Sequence, residues 1–461
     1  MNMLREASTE GVCRLVRWAA GMELAGIPQP VLQKAARILA DDLAAMIGAR
    51  EEPEVARFHA QVMQRPCSVE EATIWRGAGA RTDRISAAVA NAVAADWLEL
   101  DEGYRPTPCH AGLYVLPALL GHAEATSLRT DELLRALVLG YEFVTRIARA
   151  WKPAAMTMQS HGRYGAVGAA AGVGFAARIR PDALAGALGA AATLIGPAPR
   201  NHLAEGALVR NVWPASAAWN GLMAIEWSRC GISGIPGAFF DVYSTVLGGE
   251  AQPERLTSGL GESWAVLDSY TKIYACCQHL HSAVEASVEL RTQHPEVAVA
   301  GAIASVTVET HDLALPLANP APHTTLGAKF SMPHAVAAAL LTGGAGAPAF
   351  DARALHDPSI AALRSRVSTA AWMPPLPPPH DRPARVTVLL HDGNSFEVEC
   401  LSARGGPDRP LLPDVWVEKM RALAEPVYPG IVGVLQSIVR GDSRSLEQPW
   451  SAVVHEISGL A

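Results

Sequence analysis

The chain has 461 residues, of which 49% are hydrophobic and 18% are charged, and its formal net charge at pH 7 is −7. Such a length is enough for a large core and for roughly two to three domains. Binding to nucleic acid needs a clustered basic face, and no run of lysine and arginine supplies one. The sequence therefore predicts no nucleic-acid partner.

The sequence shows no sign of a membrane or secreted protein. Charged residues interrupt every apolar run up to Arg17, so we find no secretion signal there. The most apolar stretch, residues 165–177, is too short to span a bilayer. Seven cysteines, an odd number, favour reduced thiols over a disulfide framework. We therefore expect a cytoplasmic protein with no membrane partner.

The first part of the chain, up to about residue 265, predicts one helix after another. Apolar residues recur at helical spacing over residues 31–47, 87–100 and 130–150. Residues 165–195 are rich in alanine and glycine. We interpret them as closely packed helices rather than a dinucleotide-binding loop, because no β-rich run precedes them and no acidic residue follows at the required distance.

The pattern changes near residue 270. Residues 304–309 alternate apolar and polar side chains, as a strand does, and residues 329–342 return to helical spacing. Residues 385–400 predict a β-hairpin with Asp-Gly in its turn. Helical spacing is seen again over residues 411–440.

These elements predict a mainly α fold with two parts. Residues 1–268 and 405–461 would form one large all-helical domain. A smaller α+β domain, residues 269–404, would be inserted into it.

Four short polar clusters interrupt the apolar pattern: residues 99–112, 160–165, 209–214 and 272–281. In the first, an acidic turn precedes His110, and a nearby carboxylate can fix the tautomer of a catalytic imidazole. The alternative is a solvated helix end beside a structural histidine. The second cluster enters the Ala/Gly helix and is either an anion site or a capped loop.

The third and fourth clusters contain the cations of interest. Arg210 lies between apolar residues, and such an arginine is either a carboxylate clamp or a buried, paired side chain. Residues 272–281 form the densest cluster and lie at the predicted domain boundary, where ligand clefts tend to form. His279 and His281 have no third metal ligand nearby, so we predict no metal there.

Taken in order, the motifs resemble those of the MmgE/PrpD family. Residues 100–102 are similar to the F-D-D turn of the family, and His110 is similar to the histidine that follows it. Residues 272–281 resemble its K-x-Y-P-C-C…H run, and residues 330–333 resemble its F-S-L-P. The resemblance implies a helical domain with an inserted lid, an active site between the two, a homodimer, and no metal or organic cofactor.

The resemblance also implies a set of site residues. The expected catalytic residues are Asp101, His110, His161 and Lys272. The expected substrate-binding residues are Arg210, Tyr274, His281, His334 and Arg163. In this set His281 is favoured over His279, which we expect to be a bystander.

Reactions of this family remove a proton, or CO₂, from carbon next to a carboxylate, which requires a base and well-placed cations. Lys272 and Arg210 would polarise carboxylates, and Lys272 would also donate a proton if burial lowers its pKa. His110 or His161 would transfer the proton, and Asp101 would orient the imidazole.

Three functions remain open from the sequence. The first is a cofactor-independent lyase, a dehydratase or decarboxylase of a small di- or tricarboxylate such as methylcitrate or cis-aconitate. The second is an isomerase or epimerase of a dicarboxylate. The third is a non-catalytic homologue that only binds a ligand. His334 stands where the family has tyrosine, and Arg210-Asn211-Val212-Trp213-Pro214 stands where it has Lys-Arg-x-His-Pro. Replacement of the lysine and histidine of that run moves the expectation away from a strict methylcitrate or aconitate enzyme.

Overall fold

The computed structural model of the protein describes residues 2–77 and 79–459, and it is mainly α-helical, as the sequence predicted. The helices are α1 Asn2–Gly21, α2 Gln29–Gly48, α3 Pro53–Met63, α4 Arg84–Trp97, α5 Ala111–Ala125, α6 Thr130–Ala150, α7 Ser160–Ala176, α8 Pro181–Thr193, α9 Asn201–Ala204, α10 Trp213–Arg229, α11 Ala238–Phe240, α12 His281–Gln293, α13 Thr325–Lys329, α14 Met332–Thr342, α15 Ala352–His356, α16 Pro358–Arg364, α17 Pro413–Ala424, α18 Ile431–Arg440, α19 Ser443–Glu447 and α20 Trp450–Ser458. The strands are β1 Ala72–Thr73, β2 Arg81–Thr82, β3 Gly103–Tyr104, β4 Trp151–Lys152, β5 Glu250–Ala251, β6 Ser269–Tyr270, β7 Ile303–Thr310, β8 Val367–Ala371, β9 Ala384–Leu390 and β10 Ser395–Cys400.

Helix α7 lies at the centre of the helical core. All of its residues are buried, and it packs against α5, α6 and α10. Small residues permit this approach, since a Cβ on Gly165 would lie 2.6 Å from Cβ of Ala217. A Cβ on Gly172 would lie 2.6 Å from Cγ1 of Val115. The prediction that the Ala/Gly stretch serves close helix packing is confirmed.

The one large sheet lies in the later part of the described chain and has the strand order β10-β9-β7-β8. Strands β7 and β8 are parallel, and the other pairs are antiparallel. The predicted hairpin is confirmed, with Ser395 opposite Leu389. Helix α12 packs on β9 and β10, and α14 packs on β8, so the buried valines of these strands are covered by helices.

The C-terminal helices return to the first helices of the chain. Helices α17 and α18 pack against α2, and α20 packs against α5. On α17, Nζ of Lys419 lies 2.7 Å from Oδ1 of Asp41 and 2.8 Å from the carbonyl oxygen of Leu100. Lys419 thus connects α17 to α2 and to the loop that follows α4. The division into residues 1–268 plus 405–461 and an inserted unit, 269–404, stays a prediction, as does the homodimer.

A short ribbon connects two distant parts of the chain. Strand β3 pairs with β6, with Gly103 opposite Tyr270 and Tyr104 opposite Ser269. Gly103 lies against the ring of Tyr270, where a side chain would collide. This pairing brings the acidic turn before β3 next to Lys272, which follows β6.

None of the helices in residues 2–77 and 79–459 combines the length and the apolar character that a membrane span requires.

Candidate active site

Asp101 and His110 form a hydrogen-bonded pair in the loop between α4 and α5. Oδ2 of Asp101 lies 2.6 Å from Nδ1 of His110, which also lies 3.0 Å from the carbonyl oxygen of Glu102. An ionised carboxylate and a carbonyl only accept hydrogen bonds, so Nδ1 carries the proton. The Nε2 lone pair of His110 is then free, and this side chain, 13% exposed, lines a cavity.

Lys272 holds Asp101 in its charged form. Nζ of Lys272 lies 3.1 Å from Oδ1 of Asp101, and both side chains are fully buried. Burial raises the pKa of Asp101, but Lys272 and His110 outweigh this effect and bring the pKa well below its usual value. Asp101 therefore stays ionised and can orient and charge-stabilise the imidazole.

The pKa of Lys272 changes in the direction opposite to the one considered from the sequence. Burial lowers this pKa, but Asp101 and Glu99 outweigh burial and raise the pKa well above its usual value. Nζ lies 3.5 Å from Oε2 of Glu99 in addition to its contact with Asp101. The condition set for that donation, a pKa lowered by burial, is not met, because two carboxylates hold Lys272 as an ammonium ion.

Arg210 is neutralised in the same way. Its Nη1 lies 2.5 Å from Oδ1 of Asp96 and 2.5 Å from Oε1 of Glu99. The guanidinium lies over the ring of Phe330, 5.2 Å from its centroid. Burial opposes its charge, but the two carboxylates raise the pKa of Arg210 further. Glu99 thus bridges Arg210 and Lys272 in one buried network.

His161 lies behind His110 rather than in the cavity lining. It is fully buried, its Nδ1 lies 3.0 Å from Oη of Tyr114, and its Nε2 lies 3.3 Å from Oδ1 of Asp96. Its ring meets that of His110 edge-on, with centroids 4.9 Å apart. Burial, aided by Arg210 and opposed by Asp96, lowers the pKa of His161 to about 4. Of the two candidate bases, only His110 faces the cavity.

The cavity has an empty volume of about 560 Å³, part of which is open to solvent. Three residues predicted from the sequence line it: His110, Arg210 and Lys272. The sequence reasoning missed Arg200 and Arg382, which also line it and lie in irregular segments without a motif. The only local signal was a lone arginine in each of two proline-containing connections.

The two histidines of the 272–281 cluster have exchanged their expected places. His279, expected to be a bystander, lines the cavity. His281 begins α12 with Nε2 3.2 Å from the carbonyl oxygen of Cys276, and its ring lies edge-on to that of Tyr274. A half-turn of helix separates His279 from His281, so their imidazoles point to different sides. His281 therefore packs against Cys276 and Tyr274 instead of lining the cavity.

Three other expected substrate-binding residues are not brought to the cavity. Oη of Tyr274 accepts a hydrogen bond from Nη2 of Arg404 at 3.1 Å. His334 lies with Nε2 2.9 Å from the carbonyl oxygen of Ala349. Arg163 lies against the rings of two tyrosines. The hydroxyl of Tyr274 and Nε2 of His334 thus have partners elsewhere in the fold.

Comparison with known proteins places the chain in a family. Residues 13–248 match the MmgE/PrpD N-terminal domain, and residues 274–436 match the MmgE/PrpD C-terminal domain. The chain belongs to the MmgE/PrpD family. The cavity of this MmgE/PrpD protein takes His110 and Arg210 from the first matched region and His279 and Arg382 from the second, with Lys272 between the two.

Two relatives are named decarboxylases. The chain is 26% identical over 487 aligned residues to a cis-aconitate decarboxylase-like protein of Aspergillus oryzae, covering 99% of this chain and 98% of the relative. It is 27% identical over 317 residues to a cis-aconitate decarboxylase of Aspergillus terreus, covering 63% of this chain and 61% of the relative. The family and these relatives indicate an enzyme of the decarboxylase or dehydratase type.

Proposed function

We propose that this protein is a lyase that acts on a small polycarboxylate, with His110 as the group that transfers the proton. The single observation that carries the proposal is the Asp101–His110 pair, in which Nδ1 is held by the carboxylate and Nε2 is left for the cavity. An imidazole held in this way can act as acid or base.

The same pair suits both lyase reactions of the family. In a decarboxylation, the bond to the leaving carboxylate breaks, its electron pair stays on the remaining carbon skeleton, CO₂ departs, and protonated His110 delivers a proton from Nε2. In a dehydration, neutral His110 accepts the proton next to a carboxylate and returns it to the departing hydroxide, which leaves as water. Asp101 stabilises the imidazolium that exists in either cycle.

The names of the relatives favour decarboxylation of cis-aconitate or of a close analogue as the first reaction to test. The buried network contributes to this chemistry by remaining rigid and charged. Lys272 and Glu99 line the cavity, so the substrate meets an ammonium group and a carboxylate whose positions are set before binding. Preorganised charges of this kind stabilise transition states at little reorganisation cost.

The test is proton NMR in D₂O with the purified protein and a panel of cis-aconitate, citrate and methylcitrate. A new product formed with CO₂ release and deuterium on the protonated carbon, or an alkene formed with water loss, supports the lyase. Deuterium exchange without loss of a group identifies the isomerase or epimerase instead. Tight binding without either outcome identifies the non-catalytic homologue.

His110→Gln tests the assigned residue in the same assay. We expect the rate to fall about 10²- to 10⁴-fold, the usual effect of losing an acid–base group, while the melting temperature stays close to that of the parent. His391→Gln, at an exposed position next to the hairpin turn, is the matched control. Near-normal turnover by His110→Gln would contradict the assignment.

A further inference from the structure

The cations that the sequence singled out are already neutralised by the protein. Lys272 and Arg210 are two positive charges, and they share three buried carboxylates, those of Asp96, Glu99 and Asp101. A cation that is saturated by its own chain offers little net charge to an incoming anion. A polycarboxylate substrate therefore needs other cations in the cavity.

Arg382 is a cation of the cavity wall whose neighbouring carboxylate is shared with a second arginine. It is only 7% exposed, and it donates to Oε1 of Gln278 and, over 3.1 Å, to the carbonyl oxygen of Arg105. Its nearest carboxylate in the described chain is that of Asp381, 3.6 Å from Nε, and Asp381 also accepts from Arg105 at 2.9 Å. In residues 2–77 and 79–459, the buried Nε of Arg382 has no hydrogen-bond partner.

Arg200 lines the same cavity, and its positive charge is compensated even less by nearby carboxylates. Its Nη1 donates to Oε1 of Gln159 at 3.3 Å. In the described parts of the chain, no carboxylate lies within 4.0 Å of its guanidinium nitrogens. Burial lowers the pKa of His279, and the charges of Arg382 and Arg200 lower it further. His279, Arg382 and Arg200 all line the same cavity.

We infer that Arg382 and Arg200 bind a third substrate carboxylate that does not react, and so favour acids with three carboxylates over acids with two. The inference rests on the proposed function for the identity of the anion. An arginine fork binds a carboxylate through two parallel hydrogen bonds, which gives both charge and direction. With one carboxylate held there, the substrate lies in the cavity that His110 also lines.

The test uses two unreactive probes that differ by one carboxylate, tricarballylate and methylsuccinate, and measures their dissociation constants by calorimetry. We expect the parent protein to bind tricarballylate about tenfold to a hundredfold more tightly, the usual value of a charge-assisted contact. Arg382→Gln and Arg200→Gln should each lose most of that preference by weakening tricarballylate alone. Arg353→Gln, at an exposed position, is the matched control and should keep it.

Other results would overturn the inference. A parent protein that binds both probes equally, or variants that keep the parent's preference, would show that these arginines hold no carboxylate. Equal weakening of both probes would assign them a structural role. If Arg382→Gln does not fold, Arg382→Lys and Arg200→Gln are measured instead. Lysine keeps the charge without the fork, so Arg382→Lys should retain only part of the preference for tricarballylate.

The outcome is separable from that of the proposed function. Probe binding needs no turnover, so a parent protein that discriminates between the probes through these arginines but converts no polycarboxylate supports the inference and contradicts the lyase. A parent protein that turns over a polycarboxylate, with KM unchanged in both arginine variants, supports the lyase and overturns the inference.

Discussion

Oδ2 of Asp101 lies 2.6 Å from Nδ1 of His110, while Oδ1 of the same carboxylate lies 3.1 Å from Nζ of Lys272. One buried carboxylate thus orients the imidazole and neutralises the ammonium group. This double use explains why Lys272, which is distant in sequence, has to lie beside the loop that carries Asp101 and His110.

Asp101→Asn should reduce both turnover and stability. The amide cannot hold the imidazole in the same charged pair, so we expect kcat to fall roughly 10²- to 10⁴-fold. The melting temperature should fall as well, because Lys272 keeps only Glu99 as a partner. Asp392→Asn, in the exposed hairpin turn, is the control for the substitution. A kcat within a few fold of the parent would refute the role of the pair.

Lys272→Met should destabilise the fold strongly, because it leaves Asp101 and Glu99 buried without their cation. We expect a loss of about 3–5 kcal/mol in the free energy of unfolding, measured by urea denaturation. Lys152→Met, at an exposed position, should have little effect. The double variant Glu99→Gln with Lys272→Met should lose less than the sum of the single losses, and strict additivity would contradict the network.

The burial of His161 predicts a pH-dependent stability. Its pKa is about 4 in the folded protein and near 6.5 when unfolded, so below pH 6.5 the unfolded chain binds a proton that the folded chain does not. The neutral, buried His161 therefore stabilises the fold above that pH. Its contribution to the free energy of unfolding is lost as the pH falls toward 4, at about 1.4 kcal/mol per pH unit. His161→Gln should flatten the profile in this window and His455→Gln should not. An unchanged slope in His161→Gln would disprove the neutral, buried state.

Glu102 should have the opposite effect. Burial, opposed by the amide of Gly112, raises its pKa to about 7, so between about 4.5 and 7 the folded protein keeps a proton that the unfolded chain has released. Stability is then lost as the pH rises through this window. Glu102→Gln carries no such charge, and its free energy of unfolding relative to the parent should increase from pH 5 to pH 8 by up to roughly 3 kcal/mol. The exposed Glu418→Gln is the control, and a difference that does not change with pH would refute the raised pKa.

Much of the fold follows from local patterns in the sequence. Helical periodicity predicted α2 and α6 close to their observed limits, and the Asp-Gly turn predicted the hairpin of β9 and β10. The interpretation of α7 as a packing helix was also correct, because glycine and alanine spaced along a helix have a direct steric meaning.

The candidate site was predictable only where its residues are close in sequence. Asp101 and His110 are nine positions apart, in one loop. Arg382, by contrast, is brought to the cavity by an irregular connection before β9 and reaches Gln278 across 104 positions. No periodicity encodes such a contact. The assignment of His281 to the cavity failed because one turn of 3₁₀ helix before α12 decides which imidazole faces inward.

By itself the sequence determined the mainly helical class, the family motifs, and the residues capable of acid–base chemistry, because these depend on residue type and short-range spacing. The tertiary structure decided which of those residues are free to act. It surrounded Lys272 and Arg210 with carboxylates, buried His161, and left His110 facing the cavity with Arg200 and Arg382. The physical reason is that pKa and net charge depend on burial and on partners within a few ångströms, and chain folding alone sets which groups become those partners.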